Sequence, residues 1–547
     1  MRPGGARSVA EVETLFADAW EAHNRAEIAA IVRANAPTEV VRARERERAA
    51  VSAAIDALED FDSRPADGRD PDDRRAIHAM RETVGLLASR DPSLSLAVET
   101  SPDGVADGRP AEAVLADYGL PALLLRTTAA YGAAAEAVEL DGWTVDRLDL
   151  LARLATEPDT GARRRLFLAL EPVWRSVDGD GGPASPYRVA LRASAEAWRR
   201  DGSPVDANAR ALGIDPASVE PWLRAILETW RDSAVTGPIE PWDERHATGA
   251  FARSYAAELS LAELRGINDA SYAALGADPA SLGIHYDLEP RPGRGPVPVA
   301  FMLDVDVPRL TPAGWTPGEQ WVLAGYGHPR VVDLGELLHE TGHAIHSRAI
   351  RTRPAFAVLR EAHTTFIEAL GDLVAWDLYE PAWQAARLGR FVPLEVGLRA
   401  RYGDVVRDVA WSLFEIELHR APDRAPNDVW TEITSSYLGV VPHPEWSWWA
   451  IRGQLVQSPG YMVNYGLGAI VTADLRARLR ELRGDWLTGD PGWYDAVSEA
   501  IYRWGGEREP GDVLAAFLGR PVSPDALLDD LGRLAGDGAG GPAGHPT

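Results

Sequence analysis

Residues 333–350 constrain this chain more than any other segment, because they place two histidines four residues apart within an apolar helical pattern. On an α-helix, His339 and His343 would lie one turn apart on one face, so both imidazoles could point at a single ion. Glu340 would stand beside them, where it could take a proton from a water molecule. Gly342 weakens such a helix by about 1 kcal/mol relative to Ala, and we expect another backbone to pack closely there. The sequence therefore predicts a buried zinc helix with Glu340 as the general base.

A third protein ligand is required, because a catalytic zinc ion takes three protein groups and leaves one position open. The chain contains no cysteine, so the ligands must be His, Asp or Glu. Glu368 follows His343 by 25 residues, within a second helical pattern whose apolar neighbours make it a buried position. Asp372 lies one turn later, where it could accept the second ring proton of a ligating histidine. We predict one Zn²⁺ per chain, bound by His339, His343 and Glu368, with Asp372 and His346 next to the ligands.

The acidic composition makes several classes of partner improbable. The 547 residues carry a formal net charge of −26, and such a surface repels nucleic acid phosphates and anionic membranes. No run of about 18 apolar residues is present, so no membrane span is predicted. The first residues lack the apolar stretch and cleavage site of a secretory signal, and we expect a cytoplasmic protein. No obligate protein partner is evident.

Most of the chain has the apolar spacing of helices, beginning with residues 9–60, which are also dense in Arg and Glu. Near residue 284 the pattern changes, and apolar alternation over residues 297–303 and 320–324 predicts two strands. We predict a mainly α, two-lobed protein with a small β-sheet beside the zinc site. The predicted parts are an N-terminal helical lobe (1–283), a catalytic region (284–535) and a disordered tail (536–547).

The segments HETGHAIH, FIEALGD and SPGYMVNYGLGA resemble those of zinc peptidases in the thimet oligopeptidase and oligoendopeptidase family. Around the third ligand, the chain is also similar to the angiotensin-converting enzyme family. The resemblance implies a gluzincin site, with two histidines and a glutamate as ligands. It implies a deep central channel between two helical lobes, which admits oligopeptides and excludes folded proteins. It also implies that an edge strand, here around residues 321–325, pairs with the substrate backbone.

Residues farther along the chain have roles that the resemblance implies. Tyr461 and Tyr465 stand where the relatives have tyrosines that contact the tetrahedral intermediate, and Tyr465 is the preferred donor to the oxyanion. The relatives place a histidine where this chain has Gln454, which donates a hydrogen bond but carries no charge. Arg452 stands where the converting-enzyme relatives hold a cation for the C-terminal carboxylate of the peptide, and a structural ion pair is an equal alternative. His443 could touch substrate.

These residues predict a metallopeptidase that hydrolyses short oligopeptides with a metal-activated water. Two other hypotheses stay open. A zinc hydrolase of a non-peptide amide would use the same groups, and a zinc-binding protein could hold peptides with little or no catalysis. Gln454 favours the holding protein, whereas the intact Glu340 argues against it. The sequence leaves open the cleavage preference, internal cleavage against C-terminal dipeptide release, the oligomeric state, and cobalt or manganese as the working metal.

Overall fold

The computed structural model describes residues 8–62, 70–90, 109–233, 237–295, 297, 299–358 and 363–536. Within these residues the chain is mainly helical, as predicted, and no described helix is both long and apolar enough to span a bilayer. Residues 537–547 of the predicted tail lie outside the described residues.

The helices in the first half of the chain, up to the metal-site region, are α1 (Val9–Val32), α2 (Pro37–Asp62), α3 (Pro71–Arg90), α4 (Ala111–Glu136), α5 (Arg147–Thr156), α6 (Thr160–Ala169), α7 (Glu171–Asp178), α8 (Pro186–Asp201), α9 (Pro204–Ala211), α10 (Pro216–Asp232), α11 (Glu244–Thr248), α12 (Ala250–Ser254), α13 (Leu261–Ala273) and α14 (Pro279–Leu282). The remaining helices are α15 (Val331–Ala349), α16 (Pro354–Ala357), α17 (Thr364–Ala375), α18 (Pro381–Leu388), α19 (Leu394–Arg420), α20 (Pro426–Tyr437), α21 (Gln454–Gln457), α22 (Val463–Arg483), α23 (Trp493–Ala500), α24 (Pro510–Leu518) and α25 (Asp525–Gly536). The strands are β1 (Val138–Leu140), β2 (Trp143–Val145), β3 (His285–Asp287), β4 (Phe301–Asp304), β5 (Arg309–Thr311), β6 (Gly314–Thr316) and β7 (Gln320–Leu323).

Two compact units divide the chain, and each is assembled from three separated segments. Unit 1 comprises Met1–Val98, Ala257–Asp377 and Leu482–Gly519, and unit 2 comprises Glu99–Ala256, Leu378–Glu481 and Arg520–Thr547. The predicted boundary between residues 283 and 284 falls inside unit 1. The division into units differs from the predicted one because contacts between residues far apart in sequence join the N-terminal helices to the segment after α15. Helix α1 packs on α16, and the Arg353 guanidinium donates to the Glu13 carboxylate at 2.7 Å.

A three-stranded sheet in unit 1 has the order β3-β7-β4, with β3 parallel and β4 antiparallel to β7. The prediction of a strand at residues 320–324 is confirmed by β7, and the other predicted strand begins only at Phe301. Because β7 is paired on both sides, the prediction that an edge strand lies around residues 321–325 is wrong. Strand β7 is central because β3 pairs with it, and β3, with only three residues, is too short to show an alternating pattern. The edge strands of this sheet are β3 and β4.

One core cluster of unit 1 lies between helices α1, α2, α3 and α16, where apolar side chains of all four helices pack together. Helix α15 packs on β4, β7, α13 and α17 in the same unit. Unit 2 is arranged around the long helix α19, which packs on α8, α10, α20 and α25. Its core is rich in tryptophan, and the rings of Trp411 and Trp430 stack with their centroids 4.8 Å apart.

Candidate metal centre

Helix α15 carries the two histidines and is among the most buried helices of unit 1. Its first turn is closed by Asp333, whose carboxylate accepts the N–H of Arg330 at 2.6 Å. The side chains of Leu334, Leu337 and Leu338 are fully buried, as the apolar pattern predicts. Strands β4 and β7 and helices α13 and α17 all pack on α15, and Gly371 of α17 lies against the imidazoles of His339 and His343.

Two glycines allow α15 and α17 to cross at very short distance. A Cβ atom at Gly342 would lie 2.6 Å from the carbonyl oxygen of Gly371. A Cβ atom at Gly371 would lie 2.7 Å from Cε1 of His343 and 3.0 Å from Cε1 of His339. The expected close backbone approach at Gly342 is therefore present. Any larger residue at these positions would push the two helices, and the groups they carry, apart.

The crossing brings the predicted metal ligands together. Nε2 of His339 lies 2.9 Å from Nε2 of His343, and 3.3 Å from Oε2 of Glu368 on α17. His339, Glu340 and His343 each offer a ligand atom, and these atoms all lie within 4.8 Å of one another. Two ligand atoms at about 2.1 Å from a tetrahedral zinc ion would be about 3.4 Å apart, close to the separations seen here.

Asp372 orients one of the imidazoles. Nδ1 of His339 lies 2.8 Å from Oδ1 of Asp372, one turn after Glu368 on α17. When Nδ1 carries the ring proton, this N–H donates to the carboxylate of Asp372. The lone pair of Nε2 is then available for a metal. Nδ1 of His343 is buried and has no hydrogen-bond partner within the part of the chain that the structure describes.

Three tyrosines from distant segments of unit 1 form hydrogen bonds with α15, and they are not among the site residues predicted from the sequence. The hydroxyls of Tyr272 and Tyr494 donate to backbone carbonyls of the helix at 2.5 and 3.1 Å. The hydroxyl of Tyr286 shares a hydrogen bond of 3.0 Å with the hydroxyl of Thr341, the residue after Glu340. No local pattern marks these tyrosines, since their partners lie 55 to 149 residues away.

Burial and neighbouring charges shift the pKa values of Glu340, His343 and His339. Burial raises the pKa of Glu340 to about 7, and Glu368 and Glu336 raise it as well, while His339 lowers it. Burial lowers the pKa of His343 to about 3, so its ring is neutral at pH 7 and able to bind a metal. The pKa of His339 is raised well above its usual value because Asp372, Glu368 and Glu340 outweigh its burial.

The donor set fits a divalent cation. Glu340 and His343 are only 8% and 7% exposed, and two further carboxylates face the same imidazoles from α17. Glu340 is buried, whereas Glu368, predicted to be buried, and Asp372 are half-buried, with side chains 30% and 32% exposed. Carboxylates clustered in this way require positive charge nearby, since an uncompensated charge removed from water is costly. Imidazole and carboxylate ligands suit zinc, and also cobalt and manganese. His339, His343 and Glu368 are therefore the residues that could hold the ion.

The edge strand β4 lies beside Glu340. A hydrogen bond from the backbone of Met302 lowers the pKa of Glu340 against the effect of burial. The strand is fixed to α15 by Asp304, whose carboxylate accepts the hydroxyl of Ser347 at 3.0 Å. The backbone carbonyl of Asp304 accepts the indole N–H of Trp20 at 3.0 Å, so this edge is covered by α1 at one end.

The predicted tyrosines and their neighbours all lie in unit 2, where the structure brings them together. The rings of Tyr461 and Tyr465 are in edge contact, with centroids 5.7 Å apart. The side-chain amide of Gln454 donates to the hydroxyl of Tyr465 at 3.2 Å. The amide that replaces the histidine of the relatives thus contacts the preferred oxyanion donor directly.

Arg452 is held by an ion pair. Its guanidinium donates to the Asp408 carboxylate and lies over the Trp411 ring, 5.0 Å from the ring centre. It also lies 5.6 Å from the ring centre of Tyr465. Of the two alternatives for Arg452, this geometry matches the structural ion pair.

The other two predicted histidines, His346 and His443, lie in different units of the chain. His346 on α15 is buried and lies against the Tyr502 ring, with ring centres 5.0 Å apart, and burial lowers its pKa to about 3. His443 in unit 2 contacts Glu240 at 2.9 Å through Nε2 and Glu445 at 2.7 Å through Nδ1. Burial lowers the pKa of His443, but the two glutamates raise it above its usual value. Both substrate contact by His443 and metal support by His346 stay predictions.

Comparison with known proteins gives one similar curated sequence. No family model matches the chain. The mitochondrial intermediate peptidase of Schizosaccharomyces pombe is 22% identical over 222 residues. That match covers 38% of this chain and 29% of the peptidase, so the chain spans less than a third of the length of the curated relative it matches.

Solved structures match nearly the whole chain. A carboxypeptidase from Deinococcus radiodurans has a TM-score of 0.60 at 14% identity, covering 96% of this chain and 99% of that chain. An oligoendopeptidase F has a TM-score of 0.54 at 14% identity, with 97% of each chain covered. Metallocarboxypeptidase 1 of Trypanosoma cruzi has a TM-score of 0.51 at 15% identity, covering 96% of this chain and 99% of that chain. The chain has the helical fold of these peptidases, and the resemblance to the oligoendopeptidases that its motifs indicate is confirmed.

Proposed function

We propose that the protein is a zinc-dependent metallopeptidase that hydrolyses peptide bonds of short oligopeptides. The observation that carries this proposal is the convergence of His339, His343 and Glu368 beside the buried carboxylate of Glu340. The fold shared with carboxypeptidases and an oligoendopeptidase supports the same reaction class. We further propose a cytoplasmic location and no nucleic acid or membrane partner, consistent with the net charge of −26.

In the proposed reaction, a zinc ion held by His339, His343 and Glu368 would polarise the scissile carbonyl and lower the pKa of the attacking water. Glu340 takes the proton from that water and returns it to the leaving amine. Tyr465 donates a hydrogen bond to the developing oxyanion, and Tyr461 lies beside it.

The substrate backbone would pair with the edge strand β4, in place of the β7 region named from the sequence. Strand β4 is the edge strand that contacts Glu340, through the backbone of Met302. An extended peptide added to this edge would gain main-chain hydrogen bonds with little demand on its sequence. This arrangement suits a peptidase that accepts varied oligopeptides.

A mixed oligopeptide library tests the reaction. The wild type, Glu340→Gln and the exposed carboxylate control Glu258→Gln are incubated with the library, and fragments are identified by mass spectrometry. We expect cleavage by the wild type and by Glu258→Gln, and a loss of at least about 10³-fold in Glu340→Gln. Peptides that are retained but not cut by the wild type would instead support the peptide-holding protein favoured by Gln454. If the wild type cleaves no library peptide but does cleave non-peptide amides in a parallel incubation, the result would support the zinc hydrolase of a non-peptide amide.

A further inference from the structure

Glu415 is a buried carboxylate on α19 that holds the backbone of the tyrosine segment, residues 458–465. It is 1% exposed. The N–H of Gly460 donates to Oε1 of Glu415 at 2.8 Å, and the N–H of Met462 donates to Oε2 at 3.0 Å. One carboxylate thus binds the two amides on either side of Tyr461, with one oxygen for each.

Other groups of unit 2 hold the same backbone. Ser412, one turn before Glu415, has its hydroxyl 2.7 Å from the carbonyl oxygen of Met462. The side chain of Asn208 donates to the side chain of Asn464 at 2.8 Å. Gly460 has φ 91° and lies against the Trp198 ring, where a Cβ atom would be 2.8 Å from the indole.

The backbone held by Glu415 sets the positions of both tyrosines. The carbonyl of Tyr461 accepts the N–H of Asn464 at 2.9 Å, and the carbonyl of Met462 accepts the N–H of Tyr465 at 3.2 Å. Tyr465 therefore lies in the first turn of α22, three residues after Met462, whose amide Glu415 binds. A shift of this amide would move the Tyr465 ring relative to the rest of unit 2.

Burying the carboxylate of Glu415 costs free energy of folding unless hydrogen bonds or a counter-charge compensate for the lost contact with water. Within the part of the chain that the structure describes, Glu415 forms no ion pair, and the two backbone amides are its hydrogen-bond donors. Burial raises the pKa of Glu415 to about 8, and these amides lower it against that effect. An apolar side chain would be cheaper to bury, but it could not bind two backbone amides.

We propose that Glu415 is a positioning residue, which fixes Tyr461 and Tyr465 for peptide hydrolysis through the backbone amides of Gly460 and Met462. This inference rests on the proposed function, since it assigns both tyrosines to that reaction. Glu415 touches neither substrate nor metal in this role, and its effect passes through Tyr465.

The test compares Glu415→Gln with Glu417→Gln, which removes a charge from the same helix. Glu417 pairs with Arg224 at 2.8 Å and Arg424 at 3.3 Å and binds none of the tyrosine segment. At about pH 9, above the pKa of Glu415, the carboxylate accepts both N–H groups whereas an amide accepts only one, so we expect amide hydrogen exchange at Gly460 and Met462 to become at least about tenfold faster in Glu415→Gln alone at that pH. We expect its kcat to fall about tenfold with KM within about twofold and the zinc content unchanged.

A double-mutant cycle with Tyr465→Phe separates positioning from a general loss of structure. If Glu415 acts through the Tyr465 hydroxyl, Glu415→Gln lowers kcat by less than about twofold once that hydroxyl is absent. Multiplicative losses in the cycle, unchanged amide exchange, or an equal effect of Glu417→Gln would each overturn the proposal. If Glu415→Gln does not fold, Ser412→Ala replaces it, with exchange at Met462 and the same cycle as readouts.

The exchange measurement also distinguishes this inference from the proposed function. A wild type that cleaves no peptide overturns the positioning role of Glu415 in hydrolysis together with the proposed function. Suppose that the wild type cleaves peptides and that Glu415→Gln exchanges faster at Gly460 and Met462. If the losses in kcat are then multiplicative in the double-mutant cycle, only the positioning role is overturned.

Discussion

Gly342 on α15 faces Gly371 on α17, so closely that a Cβ atom at Gly342 would lie 2.6 Å from the carbonyl oxygen of Gly371. This contact sets the distance between the two helices that supply the candidate metal ligands. His339 and His343 project from one helix, and Glu368 and Asp372 project from the other. The two glycines therefore control how closely the imidazoles and carboxylates approach.

Gly371→Ala tests this control. The new methyl group would lie 2.7 Å from His343 and 3.0 Å from His339, so the helices must separate. We expect a loss of about 1–3 kcal/mol in the free energy of unfolding, together with weaker zinc binding. Urea unfolding and a zinc titration measure the two effects. Gly266→Ala on α13 is the matched control, because a Cβ atom there meets nothing within 4 Å and should be neutral or stabilising.

Asp372→Ala removes the acceptor for Nδ1 of His339, which lies 2.8 Å away. Without it, the ring can rotate or place its proton on Nε2, the nitrogen required for the metal. We expect zinc affinity to fall about 10–100-fold. Competition with a chelator of known affinity measures the change, and Asp372→Asn, which keeps an acceptor oxygen, should lose less. Equal affinity of wild type and Asp372→Ala would contradict the orienting role.

Tyr465→Phe removes the proposed donor to the oxyanion and keeps the ring. A donor that acts only in the transition state contributes to kcat, so we expect kcat to fall about 10²-fold with little change in KM. Steady-state kinetics on a peptide cleaved by the wild type give both constants. A rise in KM at constant kcat would instead place Tyr465 in ground-state binding.

Glu415 makes stability depend on pH. Its pKa in the folded protein is raised by burial to about 8, above the value of about 4.3 expected in the unfolded chain. The folded state then binds more protons between these values, so this contribution is complete below about pH 4 and is lost as pH rises through about 8. We expect the wild type to lose stability relative to Glu415→Gln from about pH 5 to about pH 8. Urea unfolding at several pH values measures this difference, and parallel curves would contradict it.

Local sequence patterns predict much of the metal centre. The apolar spacing of residues 333–350 indicates a helix with both histidines on one face, and the helical pattern around Glu368 indicates a second buried helix. Gly342 is also informative, because a glycine inside a buried helix suggests a close backbone approach. These features depend on neighbours within a few turns, which a single sequence displays.

Features that depend on distant residues could not be predicted in the same way. Strand β3 has three residues and pairs with β7, 36 residues farther along, so nothing local shows that β7 is central. The joining of α1 to the segment after α15 depends on Arg353 and Glu13, 340 residues apart. The anchoring of the tyrosine segment by Glu415 likewise joins residues 45 and 47 positions apart.

The central claim, a zinc ion held by His339, His343 and Glu368, is tested most directly by metal stoichiometry. Wild type, Glu340→Gln and the three single alanine variants at the ligands are dialysed against zinc and measured by mass spectrometry. We expect about one zinc ion per chain in the wild type and in Glu340→Gln, and much less in each ligand variant. A wild type without zinc, or ligand variants that retain one full equivalent, would contradict the account.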